Sequence, residues 1–101
     1  MKIVLPLMLF MLVHLVVLAQ DYKITAELKQ LYQNEQYDRI ISAHSNKAES
    51  YTAKAIYYVG LAYYMKEDDE NCLKYMDMSI KKESHNADPH YIKGKTLQYL
   101  S

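Results

Sequence analysis

The stretch AKAIYYVGLAYYMK, residues 53–66, followed closely by ENCLKYMDMSIKK, residues 70–82, decides the reading of this chain. In the first segment Ile56, Val59 and Tyr63 recur at three- and four-residue steps, with Tyr57 and Tyr64 on the flanking stripe. That is the period of an amphipathic helix. In the second segment Cys72, Leu73, Met76, Ser79 and Ile80 share one side, and Lys74, Asp77, Lys81 and Lys82 the other. An acidic turn, Lys66 to Glu70, separates them, so two short helices joined by a turn are expected. A glycine inside a helix costs about 1 kcal/mol relative to alanine. Gly60 therefore calls for a packing reason: a neighbouring helix too close for a side chain, with the small Cys72 opposite it and the two axes about 8 Å apart.

Gly94 follows Gly60 by 34 residues and again falls inside a helical pattern, His90 to Leu100. The set Ile56, Val59-Gly60 and Tyr63, then Cys72 and Met76, resembles the signature of the tetratricopeptide repeat, whose period is 34 residues. It departs from that signature in having Ile56 for tryptophan, Cys72 for alanine, Met76 for phenylalanine and Ser84 for the closing proline. A further repeat begins at Ala87 and carries Lys93 where an aliphatic residue is usual. Upstream, Tyr37 and Ile40 match a degenerate repeat in which Leu28 stands where Gly60 does, at a spacing of 32. The resemblance implies an all-α fold over residues 21–101: a right-handed solenoid of short antiparallel helix hairpins, about five helices after the leader. Ile56, Val59, Gly60, Tyr63, Cys72, Met76 and Gly94 then serve repeat packing.

Local chemistry places the helices at about 22–33, 37–46, 52–65, 69–82 and 88–100, with no strand. Ser50 or Thr52 can cap the third, and Asp68, Asp69 and Glu70 oppose the positive end of the fourth. Lys81 and Lys82 suit its C-terminal end, and Asp88-Pro89 reads as a cap followed by a first-turn proline.

Residues 1–20, MKIVLPLMLFMLVHLVVLAQ, carry one lysine and then an apolar run from Ile3 to Ala19. This has the form of a secretory signal peptide over residues 1–19, with Val17 and Ala19 fitting the small-residue cleavage rule and the mature chain starting at Gln20 or Asp21. The alternative is a retained anchor over residues 3–19, since about 17–25 apolar residues span a bilayer. No cysteine stands near the boundary, which excludes a bacterial lipoprotein anchor. The protein is thus expected to be exported, periplasmic or secreted. A single cysteine, Cys72, cannot form an internal disulfide, and its place on an apolar helix face reads as a buried small residue.

The resemblance also implies a function: a concave groove, lined by the first helix of each repeat, that takes a peptide or a partner protein without catalysis. Carried over by position, that groove holds Lys54, Tyr57, Leu61, Tyr64 and Met65 in the well-formed repeat. The terminal helix adds Asp88, Tyr91, Lys95, Gln98 and Tyr99, and the degenerate repeat Tyr22, Lys29, Tyr32 and Gln33. Tyrosine joins a large apolar ring to a polar tip, which suits a recognition surface. Other readings are self-association through the terminal helix at Leu97 and Leu100, membership of a longer solenoid, and stacking of aromatic rings on carbohydrate.

Chemistry of other kinds is disfavoured. His85, Asp88 and His90 match no zinc spacing, and Asp68, Asp69 and Glu70 lack the glycine and ligand spacing of a calcium loop, so no metal and no cofactor are expected. None of Ser42, Ser45 or Ser50 forms a recognisable nucleophile motif with His44. Nucleic acid is an improbable partner because 12 basic residues, one of them Lys2 in the leader, face 12 acidic ones.

Overall fold

The computed structural model describes the backbone of residues 4–101 and side-chain surroundings from Pro6 onward, so residues 1–3 of the expected leader lie outside the described residues. The described chain is all-helical: α1 (Val4–Gln33), α2 (Tyr37–His44), a 3-10 segment (Ser45–Ser50), α3 (Ala53–Met65), α4 (Asp69–Lys82) and α5 (Ala87–Leu100). Four of the five helices sit within a few residues of their expected bounds. The first differs, because it runs from Val4 where a start near residue 22 was expected. Nothing between Ala19 and Tyr22 breaks a helix, and Pro6 falls in the first turns, where its missing N–H costs little.

A helix of this length is about 45 Å long at 1.5 Å per residue, and the molecule extends 63 Å along its longest axis. The apolar N-terminal part, Leu7 to Leu18, packs on nothing and is 50–67 % exposed at its large hydrophobic residues. By length and composition this one helix could cross a membrane, which is compatible with a signal segment or an anchor.

The remainder is held by α3. It packs on α1 and α2 on one side, on α4, and on α5 at the far side, while α4 also packs on α5. Leu28, Ile40, Ile56 and Val59 are fully buried in one core cluster together with Ala48, Ala55 and Ala62. Leu61, Cys72, Met76 and Ile92 form a second cluster between α3, α4 and α5. Each large side chain buried in this way stabilises the fold by about 1.5–3 kcal/mol.

Gly60 has the close neighbour its position calls for, though not the residue anticipated. A β-carbon there would lie 2.8 Å from Met76 Cε, 3.2 Å from Met76 Sδ and 3.4 Å from Tyr75 Cβ. The contact is thus made one turn beyond Cys72, which is buried against α5 instead, its Sγ 3.4 Å from Thr96 Oγ1. Burial pushes the Cys72 thiol pKa up, as expected of an inert core thiol. The packing role expected of Gly94 is corrected. It is exposed, and nothing lies within 4 Å of where its β-carbon would stand, because among the described residues no helix covers that side of α5.

Caps are supplied by Thr52, whose side chain accepts from Ala55 N, by Asp68, which accepts from Asn71 N and Asn71 Nδ2, and by Asn86, which accepts from Asp88 N. The last of these corrects the expected cap at Asp88, which sits inside the first turn of α5. The turns α1–α2 and α3–α4 are built alike. Glu35 and Glu67 take left-handed φ values of 58° and 60°. Gln36 N donates to Leu31 O, and Asp68 N donates to Tyr63 O, the long bond of a Schellman C-cap. A side chain in this backbone region costs about 1–2 kcal/mol that glycine avoids. Replacing Glu35 and Glu67 together by glycine is therefore expected to raise stability by about 1 kcal/mol, read as a higher thermal midpoint by circular dichroism; a lower midpoint would show that the two acids contribute through their charges.

Polar bonds tie the back of the molecule together. Ser79 Oγ donates to Ala53 O at 2.7 Å, Tyr75 Oη to Ser45 O at 3.2 Å, and Lys82 Nζ to the carbonyls of Glu49 and Tyr51 at 2.6 Å each. Tyr63 stacks on Tyr75 with centroids 5.3 Å apart, and its hydroxyl meets Ser45 Oγ at 2.9 Å.

Candidate functional site

Lys54, Tyr57, Leu61, Tyr64 and Met65 fall within a stripe about 100° wide on α3, and the structure separates them by depth. Lys54 and Met65 are exposed, Tyr57 and Tyr64 are half-buried, and Leu61 is 6 % exposed. Leu61 is therefore corrected from a groove residue to a core residue, because α5 closes over it through Ile92.

Two cavities flank this stripe. One, of about 570 Å³, lies between α1 and the start of α3 and is lined by Asp21, Tyr22, Thr25, Lys29, Gln33, Thr52 and Lys54, among others. The second, also about 570 Å³, lies where α3 ends, α4 begins and α5 ends, and is lined by Tyr64, Met65, Glu67, Asp69 and Tyr99. Both are of a size that binds small ligands or a few side chains. The expected residues Tyr22, Lys29, Gln33, Lys54, Tyr64, Met65 and Tyr99 thus line cavities. Tyr32, Tyr57, Tyr91 and Lys95 stand outside them.

Tyr32 and Tyr57 belong to a run of tilted rings. Centroids are 5.9 Å apart for Tyr57–Tyr58, 6.0 Å for Tyr58–Tyr32 and 5.7 Å for Tyr32–Tyr37. Such pairs contribute about 0.5–1.5 kcal/mol beyond the area they bury. The sequence reading missed Tyr58 and Tyr37 as members; the signal was the Tyr57-Tyr58 doublet, whose second ring points toward α1. Burial pushes the Tyr57 phenol pKa up to about 12, with the carboxylate of Asp88 and the neighbouring Tyr32 and Tyr58 adding to the shift. Tyr32 is raised as well, by burial first and then by Tyr37, Tyr58 and Tyr64. These hydroxyls stay protonated and can donate hydrogen bonds at any physiological pH. On α5, Tyr91 is 61 % exposed, and Lys95 Nζ lies 5.6 Å from its ring centroid, a cation–π distance.

The groups considered for other chemistry are engaged locally. His44 is buried, with Nδ1 2.8 Å from Tyr51 Oη and Nε2 facing Glu27 Oε1 at 3.4 Å, outside hydrogen-bond geometry. Ser42, Ser45 and Ser50 use their hydroxyls on Arg39 O, Tyr63 Oη and Lys47 O. His90 Nε2 lies 3.0 Å from Ser84 O. Among the described residues, no group of three His, Cys, Asp or Glu side chains is placed to hold a metal ion. Comparison of the chain with protein families, with curated proteins and with solved structures gives no match.

Proposed function

We propose that this chain is an exported, tetratricopeptide-like module that holds an extended peptide segment of a partner protein on the face shared by α1, α3 and α5, without catalysis. The observation that carries this reading is the pair of cavities at opposite ends of one stripe of α3, with half-buried tyrosines between them. The repeat reading is supported by the order of helix contacts, in which α1, α3 and α5 touch in series with α2 and α4 behind. It is supported too by the matching turns at Glu35 and Glu67. On this reading the apolar part of α1 is the export leader or, if retained, a membrane anchor.

A second reading is self-association through the last helix. It is favoured by the uncovered Gly94 and by Leu97 and Leu100, which are 47 % and 56 % exposed. One experiment separates the two. Tyr57→Ala combined with Tyr91→Ala is expected to weaken peptide or partner capture at least ~10-fold while leaving the molar mass in solution unchanged, as befits aromatic hot spots. Leu97→Ser combined with Leu100→Ser is expected to leave capture intact. Loss of a dimer or larger species in the leucine variant, with capture unaffected by the tyrosine variant, would overturn the groove in favour of stacking.

A further inference from the structure

We infer that the two cavities select a peptide of mixed charge, with an acidic side chain seated at Lys29 and Lys54 and a basic one at Glu67 and Asp69, a conclusion that rests on the groove reading above. The first cavity contains two ammonium groups, and its one carboxylate, Asp21, stands eight residues from Lys29, about 12 Å along α1 at 1.5 Å per residue. Asp21 can offset only one of the two ammonium groups, which leaves this cavity net positive. The second cavity is lined by two carboxylates and no cation. Of the neighbouring cations, Lys66 pairs with Asp38 at 3.1 Å, and Lys95, over the Tyr91 ring and beside Tyr64 and Tyr99, can offset only one of the two carboxylates. Among the described residues, none of Lys29, Lys54, Glu67 and Asp69 has an ion-pair partner.

Opposite charges left unpaired at the two ends of one groove favour a ligand that carries both and disfavour one that carries either sign twice. The spacing follows from α3. Lys54 and Met65 are eleven residues apart, about 16 Å along the helix, which an extended peptide at ~3.3 Å per residue covers in about five residues. Between the charges the ligand meets Tyr57 and Tyr64, so its middle should be apolar or aromatic.

The test uses the full chain in nonionic detergent micelles, with the tyrosine rings labelled for NMR and blocked hexapeptides as ligands. One peptide carries glutamate and lysine at its two ends with apolar residues between; others carry two glutamates, two lysines, or the mixed pair only two positions apart. The five-position mixed peptide is expected to bind at least ~10-fold more tightly than any other and to lose that advantage in high salt. Lys29→Glu with Lys54→Glu should make the doubly basic peptide the best ligand, and Glu67→Lys with Asp69→Lys the doubly acidic one. If charge reversal unfolds the chain, Lys54→Gln must weaken the mixed peptide without weakening the doubly basic one. Binding of all four peptides within two-fold, or an order of preference that the variants leave unchanged, overturns the charge selection while the groove survives. If no peptide shifts the rings of Tyr32, Tyr57 or Tyr64, the groove falls and the charge selection with it.

Discussion

Replacing Gly60 by valine is expected to destabilise the protein by about 1–3 kcal/mol at the α3–α4 contact, whereas replacing Gly94 by alanine is expected to stabilise it. The two glycines occupy equivalent positions in the sequence pattern and opposite positions in space. At Gly60 an added β-carbon meets the end of Met76 at 2.8 Å and the β-carbon of Tyr75 at 3.4 Å. Alanine is near balance there, since the methionine tip can swing aside and the helix gains about 1 kcal/mol in propensity. Valine adds two γ-carbons that a flexible tip cannot accommodate, and they press on Tyr75 where its side chain leaves the helix. Overpacking of this kind costs about 1–3 kcal/mol, a large share of the total for a domain stabilised by roughly 0.05–0.15 kcal/mol per residue. At Gly94 nothing lies within 4 Å. Alanine there brings only the propensity gain, about 1 kcal/mol, or ~4–8 °C in thermal midpoint for a domain of this size. Circular dichroism melts of both variants decide the matter. Shifts of the same sign and size would show that α4 does not press on Gly60.

Much of this arrangement could be read from the chain because the signals were local. The period of Ile56, Val59 and Tyr63 and the acids at Asp68 to Glu70 fixed α3, α4 and the turn between them with little error. What could not be read depends on atoms brought together from far along the chain. Whether Gly60 faces Cys72 or Met76 is a question of helix register, one turn in either direction, and periodicity is blind to it. Leu61 sits on the same stripe as Lys54 and Met65, and only the approach of Ile92 from α5 makes it core. Gly94 repeats the pattern of Gly60, but among the described residues no helix packs against it. The left-handed turns at Glu35 and Glu67 gave no glycine signal at all, since the local Schellman bonds that close them hold a conformation that glutamate adopts at a cost. Of the proposed groove, the residue types and the face of α3 on which they fall were legible. The two cavities and the ring run through Tyr58 and Tyr37 were not.

Alkaline pH is expected to unfold the protein cooperatively as it rises from about 10 toward 12. Burial holds the phenols of Tyr57, Tyr32, Tyr51 and Tyr75 above the ordinary tyrosine value, with Tyr57 at about 12. Below the unfolded-chain value near 10, folded and unfolded chains bind the same phenolic protons and this contribution to stability is fully present. Above it the unfolded chain releases protons that the folded chain retains, so stability falls with every further rise in pH until the folded values are reached. Each retained proton costs at most about 1.36 kcal/mol per pH unit, less where water reaches the ring, and several phenols act at once on a small domain. Absorbance of the phenolate near 295 nm, followed together with helical ellipticity, should show exposed rings titrating first and the buried ones only as helicity is lost. Tyr57→Phe keeps the packed ring and removes the proton, so its unfolding midpoint should move to higher pH while stability at neutral pH changes little. A single ordinary titration with helicity intact to pH 12 would mean that these rings are open to water, and that the stripe between the two cavities is not the half-buried tyrosine surface on which the proposed recognition rests.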